Sequence, residues 1–251
     1  MNLGTDLHDA YSMPQFAPLY PDGPYRYEGA RAVVLTFPFD EELHRRVMPE
    51  PLAVPSRSIC SLWFFDYPRV SGFGAYTEFV LGVTAEHDGE PLMYVVYEGL
   101  DSEVPICAGR EKHGTGKKLG TVRLWEDGNV YGGAYSRGGV DVATATVEGS
   151  APTDDHPLTR AESTVAYWKR IPSAQKGAPP AVDRITVSKT RDIEVHWALT
   201  GPATVQFQPS ASDPLSVFEP EAEATGYYLE FDMVLDDAED AVLHVFDEFR
   251  P

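Results

Sequence analysis

Two adjacent lysines, Lys117 and Lys118, stand where a lysine amine could act as a nucleophile. They follow a glycine-punctuated turn in segment 105–116 and precede the apolar segment 121–125. An ordinary lysine has a pKa near ~10.4, so at neutral pH very little of it carries the free amine that attacks a carbonyl. Apolar surroundings and a second cation both favour the neutral form. The pair therefore predicts an amine that condenses with a carbonyl compound to form an imine.

Two other interpretations of the lysine pair have to be weighed. Adjacent lysines after glycines are also typical of a solvated turn. The segment nearly imitates a phosphate-binding loop, but Glu111 and Lys118 occupy the positions where that loop needs a glycine and a hydroxyl. Without the hydroxyl that holds magnesium, nucleotide binding is not expected.

Length and composition predict a globular protein with a sizeable core. The chain has 251 residues, 43% of them hydrophobic, and a chain of this length can enclose a cavity. No apolar run approaches the ~20 residues of a membrane span, and the N-terminus lacks the basic and apolar regions of a signal peptide, so a cytoplasmic location is expected. Cys60 and Cys107 lie in apolar runs, where free cysteine behaves as a small hydrophobe, so neither a disulfide nor a metal framework is expected.

The charge balance restricts the partners. A formal net charge of −19 argues against nucleic acid and against anionic membrane surfaces. An anionic substrate must then be drawn in by a local basic cluster, against the field of the whole protein. The candidates for such a cluster are Arg31, Arg110, Lys117 and Lys118. The histidines show no paired spacing that is typical of a metal site.

The elements that must position these groups are mainly strands. Asp40 predicts the start of a short helix that ends near Val47. Residues 1–25 lack periodicity and predict an extended N-terminal arm, 151–160 a loop, and the acidic 236–240 a solvated turn or helix start. Apolar, β-branched runs predict strands over 31–37, 58–65, 75–83, 92–97, 121–125, 130–135, 140–147, 164–171, 185–189, 193–199, 204–207 and 227–235.

The sequence around the lysines resembles the acetoacetate decarboxylase family. The signature is Gly109-Arg110-Glu111 followed by Lys117-Lys118-Leu119-Gly120. Further similar segments, in the family's order, are Gly23-Pro24-Tyr25 with Arg31, Met48-Pro49-Glu50-Pro51-Leu52, Tyr76-Thr77-Glu78, Val142-Ala143-Thr144-Ala145-Thr146, Lys169-Arg170-Ile171-Pro172 and Thr200-Gly201-Pro202-Ala203. The resemblance implies one domain over 1–251, of the mainly β, α+β class: a cone-shaped closed β-barrel around an apolar cavity, with a few short covering helices. It also implies a homo-oligomer and no cofactor.

The resemblance assigns roles to individual residues. It implies that Lys117 forms the imine, that Lys118 helps to keep Lys117 neutral through charge or positioning, and that Arg31 faces the cavity and binds the substrate carboxylate. Glu78, in an otherwise apolar segment, is implied to be the acid–base group.

Three positions depart from the family pattern. Trp63 stands where a second glutamate is expected, Gly116 replaces a proline, and His113 replaces an aromatic residue. His113 is a candidate to line the cavity, with a turn position as the alternative. These changes leave the amine intact and suggest a pocket reshaped for a bulkier or more apolar substrate.

The function predicted from these residues is decarboxylation of a β-keto acid through an imine on Lys117. The first alternative is aldolase–dehydratase or cyclase chemistry on a larger keto acid through the same imine. The second alternative is a non-catalytic, ligand-binding descendant in which Trp63 fills part of the cavity. A hydrolase is not expected, because no serine stands in a nucleophile-elbow context.

Overall fold

The computed structural model describes residues 12–159, 164–236 and 242–246. The predicted mainly β character with few helices is confirmed. The strands are β1 (Tyr25–Pro38), β2 (Ile59–Tyr67), β3 (Arg69–Val70), β4 (Tyr76–His87), β5 (Glu90–Leu100), β6 (Lys117–Leu119), β7 (Thr121–Asp127), β8 (Val130–Arg137), β9 (Val140–Glu148), β10 (Ala151–Pro152), β11 (Thr164–Ile171), β12 (Val182–Phe207), β13 (Ala224–Leu235) and β14 (Val242–Val245).

The strands join one sheet in the order β11-β5-β4-β2-β1-β13-β12-β9-β8-β7. The four remaining strands attach at the sides: β3 to β1, β6 to β5, and both β10 and β14 to β12. The β11–β5 and β5–β6 pairs are parallel. Strand β12, the seventh strand in this order, also pairs with β11, which is the first. The curved surface that results can enclose a space on one side.

Both faces of the sheet are buried along β2 and β4, where successive side chains point to opposite faces. On β2 and β4, Phe64 and Leu81 belong to one apolar cluster. Trp63 and Val80, one position away, belong to another. Strands that are buried on both faces have near-continuous hydrophobic sequences, and this accounts for the apolar runs of β2, β4 and β5.

Strand β12 differs from its prediction. Segments 185–189, 193–199 and 204–207 were expected as separate strands, but they lie on one continuous strand of 26 residues. Its pairing with β13 shifts register between Arg191 and Glu194, and again between Val195 and Trp197. Bulges of this kind reset the alternation of inward and outward side chains. A single strand with two bulges therefore has the hydrophobic pattern of several short strands.

Two short α-helices interrupt the strands in the described part of the chain. The predicted helix after Asp40 is confirmed as α1 (Glu41–Val47), and the Asp40 carboxylate accepts a hydrogen bond of 2.6 Å from the Leu43 amide. The second helix, α2 (Glu103–Ala108), runs directly into a π-helical turn over Gly109–His113. Single 3-10 turns span Pro157–Thr159 and Leu215–Val217. Segment 105–113 is thus helical and leads into the lysine pair.

The N-terminal arm folds back onto its own chain over the residues that the structure describes. Residues 1–11 of the predicted arm, and residues 237–240 of the acidic segment, lie outside them. From residue 12 to 24 the chain has bends and turns only. The Tyr20 hydroxyl donates to Glu111 over 2.7 Å, and Asp22 pairs with Lys112 at 3.0 Å. The arm therefore holds the π-helical turn from outside. Within the described ranges, no helix is long and apolar enough to cross a membrane.

Candidate active site

A cavity of about 120 Å³ lies on the sheet face that carries Trp63 and Val80. Its ionisable side chains other than tyrosine are Lys117, Glu78 and Glu98, among the residues that the structure describes. The rest of the lining is mostly aromatic and aliphatic: Tyr27, Trp63, Phe65, Tyr67, Val80, Met93, Val95, Leu158, Val165, Tyr167, Ser188, Thr190, Phe231, Met233 and Leu235.

Strand pairing brings the three charged groups together. Residues that are directly opposite each other on paired strands share a face of the sheet. Glu98 on β5 is opposite Val80 on β4 and opposite Lys117 on β6. Glu78 lies two residues from Val80 along β4, and it therefore points the same way. The amine and both carboxyl groups consequently face one cavity.

Lys117 is buried and paired. Its side chain is 11% exposed, and Nζ lies 3.0 Å from Oε1 of Glu78, whose side chain is 7% exposed. The two atoms are not aligned for a hydrogen bond, so charge rather than hydrogen bonding holds the pair. Burial by itself lowers the pKa of Lys117, but the charge of Glu78, and that of Glu98 once it ionises, outweigh burial and raise that pKa above its ordinary value. The amine is therefore protonated beside Glu78.

The family signature makes room for this lysine. A Cβ atom on Gly109 would lie 2.8 Å from Cδ of Lys117, so a larger residue would collide with the lysine stem. Gly114 adopts a φ of 83°, which ends the π-helical turn in a conformation that favours glycine. Its amide and that of Thr115 both donate to the Gly109 carbonyl, over 2.8 and 3.1 Å. The glycines thus fix the path by which the chain enters β6.

Lys118 does not have the position that the sequence suggested. Its Nζ donates to Asp213 over 2.8 Å and lies 4.8 Å from the centroid of the Tyr97 ring. Tyr97 belongs to the apolar cluster on the other face of the sheet. Consecutive residues of a strand point to opposite faces, so Lys117 and Lys118 cannot both reach the cavity. The expected influence of the Lys118 charge on Lys117 has no geometric basis in the structure.

Glu98 was missed in the sequence analysis. Its side chain is 3% exposed, and Oε2 has no hydrogen-bond partner among the described residues. Burial raises the pKa of Glu98 to about 8, with Lys117 acting against this shift and Glu78 adding to it. The signal was present, since a glutamate directly after the apolar run 92–97 meets the criterion that singled out Glu78. At neutral pH this cavity therefore holds an ammonium, a carboxylate and a neutral carboxyl group.

The tyrosines of the cavity remain neutral. Burial raises the pKa of Tyr27 to about 12, and its hydroxyl lies 3.1 Å from that of Tyr76. Burial likewise raises the pKa of Tyr167, whose hydroxyl accepts a hydrogen bond of 3.4 Å from Ser188. Both can donate hydrogen bonds without adding charge.

Arg31 and Arg110 lie outside this cavity, contrary to expectation. Arg31 pairs with Asp66, and its side chain is 46% exposed. It lines a different surface depression, together with Trp125 and Tyr228. The Arg110 guanidinium donates to the Lys117 carbonyl over 3.2 Å, so it secures the backbone and not the substrate. Of the described lysines and arginines, only Lys117 lines the cavity, and the predicted basic cluster does not form there.

His113 is buried, but it is not among the residues that line the cavity. Burial, together with the nearby positive charges of Lys117, Lys112 and Lys169, lowers its pKa to about 4. Neither ring nitrogen has a hydrogen-bond partner in the part of the chain that the structure describes. His113 is therefore a neutral packing residue behind the lysine. Trp63, by contrast, lies in the cavity wall as expected.

Known proteins resemble this chain in sequence and in fold. The family model described as acetoacetate decarboxylase (ADC) matches residues 12–242. A protein of Ralstonia nicotianae named acetoacetate decarboxylase is 31% identical over 221 residues, which covers 86% of this chain and 87% of the relative. The crystal structure of acetoacetate decarboxylase from Legionella pneumophila superposes with a TM-score of 0.86 at 27% identity and covers 95% of both chains.

A more distant structure shares the fold alone. The enduracididine biosynthesis enzyme MppR, complexed with pyruvate, has a TM-score of 0.77 at 18% identity and covers 95% of this chain. The family model spans the signature segment, the cavity strands and all of β12 and β13. The chain belongs to the acetoacetate decarboxylase family.

Proposed function

We propose that this protein decarboxylates a β-keto acid through an imine on Lys117. The observation that carries the proposal is the burial of Lys117 against Glu78 in a cavity whose wall is mostly aromatic and aliphatic. The membership of the chain in a family whose named relatives are decarboxylases supports the reaction class. The cone-shaped closed barrel implied by the resemblance suits the same proposal, because it would screen the cavity from water.

The first step is activation of the amine by Glu78. In water an ammonium and a carboxylate are far more stable than the neutral pair, but burial penalises both charges. The proton of Lys117 can therefore move over 3.0 Å to Glu78 when a keto acid displaces water from the cavity. The free amine attacks the ketone carbonyl, Glu78 returns its proton to the departing water, and a protonated imine remains.

The protonated imine then acts as the electron sink. The bond between the α carbon and the carboxylate breaks, its electron pair passes into the imine to give an enamine, and carbon dioxide leaves. The wall around the substrate is largely apolar. A carboxylate is costly to bury in such surroundings, whereas carbon dioxide is not. The chemistry needs no organic cofactor because the lysine nitrogen itself accepts the electrons.

The experiment is a substrate panel with a lysine control. Acetoacetate, 3-oxohexanoate, and pyruvate with an aldehyde are each incubated with the protein, with Lys117→Ala, and with Lys176→Ala, which removes an exposed lysine. We expect carbon dioxide from a β-keto acid in the wild type and in Lys176→Ala, and none above background in Lys117→Ala. Borohydride reduction should fix the substrate on Lys117. An unmodified Lys117 under saturating substrate would overturn the proposal.

Aldolase–dehydratase chemistry is the second candidate. It needs a base for a carbon-bound proton and an acid for the departing water, and the pair of Glu78 and Glu98 meets that need. The structure of MppR with pyruvate bound belongs to a protein that is similar in fold. In the same panel, an unsaturated keto acid formed from pyruvate and aldehyde, with every carbon retained, would replace decarboxylation as the proposed reaction.

A further inference from the structure

We propose that Glu98 is the acid that protonates the substrate carbon after carbon dioxide has left. The proposal rests on the imine chemistry of Lys117 and assigns a second catalytic carboxyl group to the same cavity. Family resemblance does not suggest it, because Trp63 occupies the position where the second glutamate was expected. The proton balance of the reaction and the position of Glu98 point to this role instead.

The proton balance requires an acid other than Glu78. An ammonium and a ketone give a protonated imine and water without net uptake or release of a proton. Glu78 accepts the proton of the ammonium group during this step, returns it to the departing water, and is a carboxylate again at the end. It then faces the positive imine nitrogen at the place where it faced the ammonium. A second group must supply the hydrogen that replaces the carboxylate on carbon.

Glu98 has the position that this step requires. It is opposite Lys117 in the β5–β6 register, so its side chain leaves the sheet beside the lysine stem. It lines the cavity, is 3% exposed, and its Oε2 has no hydrogen-bond partner among the described residues. The titratable or polar groups that face it are Lys117 from β6, Glu78 from β4, Tyr167 from β11, Tyr67 from β2 and the Thr115 hydroxyl.

The protonation state of Glu98 also suits a proton donor. Burial raises its pKa to about 8, so at neutral pH the carboxyl group still carries its proton. A neutral carboxyl group beside a developing carbanion is a general acid, whereas a carboxylate in that place would repel the negative charge.

The step balances in atoms and electrons. The enamine carbon forms a carbon–hydrogen bond with the Glu98 proton, and the enamine electrons return to a protonated imine. Water hydrolyses this imine to the ketone and frees Lys117. The Glu98 carboxylate recovers a proton from solvent, so each carbon dioxide released consumes one solvent proton.

The reverse of this step can be measured with acetone. Acetone forms the imine, the ionised form of Glu98 removes a methyl proton to give the enamine, and the enamine carbon regains deuterium that Glu98 has taken up from heavy water, which nuclear magnetic resonance detects. Borohydride trapping, read by peptide mass, reports imine formation separately. In Glu98→Gln we expect trapping within about twofold of wild type and deuterium uptake slower by at least about a hundredfold. Glu98→Asp should recover part of the exchange.

Matched variants separate Glu98 from its neighbours. Glu90→Gln, at the exposed start of the same strand, should match the wild type in both readouts. Glu78→Gln should slow trapping, because Glu78 acts on the amine. Deuterium exchange in Glu98→Gln within about threefold of wild type would overturn the role of Glu98 and leave the imine intact. Loss of trapping in a folded Glu98→Gln would also overturn it, since Glu98 would then act on Lys117. Absence of trapping in the wild type would overturn the proposed function, and with it this role.

Discussion

Lys117 and Lys118 are neighbours in the chain, but their ammonium groups lie on opposite faces of the sheet. Nζ of Lys117 is 3.0 Å from Glu78 in the cavity, whereas Nζ of Lys118 is 2.8 Å from Asp213 behind it. The groups that set the charge state of Lys117 are therefore Glu78, Glu98 and burial, and not the second lysine.

Replacing Lys118 with methionine should leave the chemistry of Lys117 unchanged. If the charge of Lys118 does not act on Lys117, the pH profile of Lys117 modification should move by less than ~0.5 pH units. Stability should fall by about 1 kcal/mol, because Asp213 loses one charged donor and Lys118 is already partly exposed. Chemical modification with peptide mapping measures the first effect, and urea unfolding the second.

Asp213→Asn tests the same ion pair from the side of the carboxylate. Burial raises the pKa of Asp213, but the hydrogen bonds from Lys118, Tyr97, Ser212 and Arg137 outweigh burial and hold that pKa well below its ordinary value of 3.8. The stability that Asp213 contributes is therefore present above pH ~4 and is lost as the pH falls below it. The variant should be less stable at pH 7 by about 2–3 kcal/mol, and its free energy of unfolding should depend less steeply on pH below pH ~4. An unchanged pH dependence in that range would contradict this assignment.

His113 should make the protein less stable as the pH falls. Its pKa drops from 6.5 in the unfolded chain to about 4 in the folded protein, chiefly through burial. Between these values the unfolded chain binds a proton that the folded protein does not. The stability is therefore full above pH ~6.5 and declines by up to about 3 kcal/mol toward pH 4.

His113→Leu tests this assignment by removing the titrating group. The pH dependence of unfolding between 4 and 6.5 should become flatter, measured by urea denaturation at several pH values. The control is His196→Gln, which changes an exposed histidine and should retain the slope of the wild type. A slope that is equally steep in His113→Leu would show that His113 is accessible to protons in the folded state.

Trp63 should limit the length of the substrate. It lines the cavity and stacks on Phe65 with ring centroids 5.4 Å apart. Trp63→Ala should raise the ratio of kcat/KM for 3-oxohexanoate over acetoacetate by at least about tenfold. It should also destabilise the protein by about 3 kcal/mol, the lower end for a buried tryptophan, because one side of the ring already borders a cavity. Trp197→Ala, on an exposed ring, should leave the ratio unchanged.

Arg31 should contribute little to substrate binding. A guanidinium that binds the substrate carboxylate is worth about 1.5–3 kcal/mol, so its loss would raise KM by about 10- to 150-fold. Arg31 pairs with Asp66 outside the cavity, and we therefore expect the KM of Arg31→Ala to stay within about twofold of wild type, as in the control Arg69→Ala. Steady-state kinetics decide the point. A rise of tenfold or more would mean that Arg31 reaches the substrate and that the cavity changes shape on binding.

The sequence by itself was sufficient for the features that depend on local pattern. The apolar runs of β2, β4 and β11 and the helix capped by Asp40 follow from residue types a few positions apart. The signature segment with its lysine pair was sufficient to identify the family. Glu78 could be singled out because a carboxylate in an apolar run has to find a partner.

The tertiary structure decided which side chains share the cavity. On β5, Val96 is an extra residue, since Leu81 faces Tyr97 while Gly82 faces Val95. This bulge reverses the alternation, and Glu98 therefore joins Met93 and Val95 on the cavity face, where strict alternation from Met93 would have turned it away.

The roles of the positive groups were likewise decided by partners far away in the chain. Asp66 draws Arg31 to another surface, and Asp213 draws Lys118 to the opposite face. Charge type and family position could not predict these pairings, because each depends on the register of strands that are distant in sequence. Period-two geometry then allows Lys117 alone of the two lysines to enter the cavity.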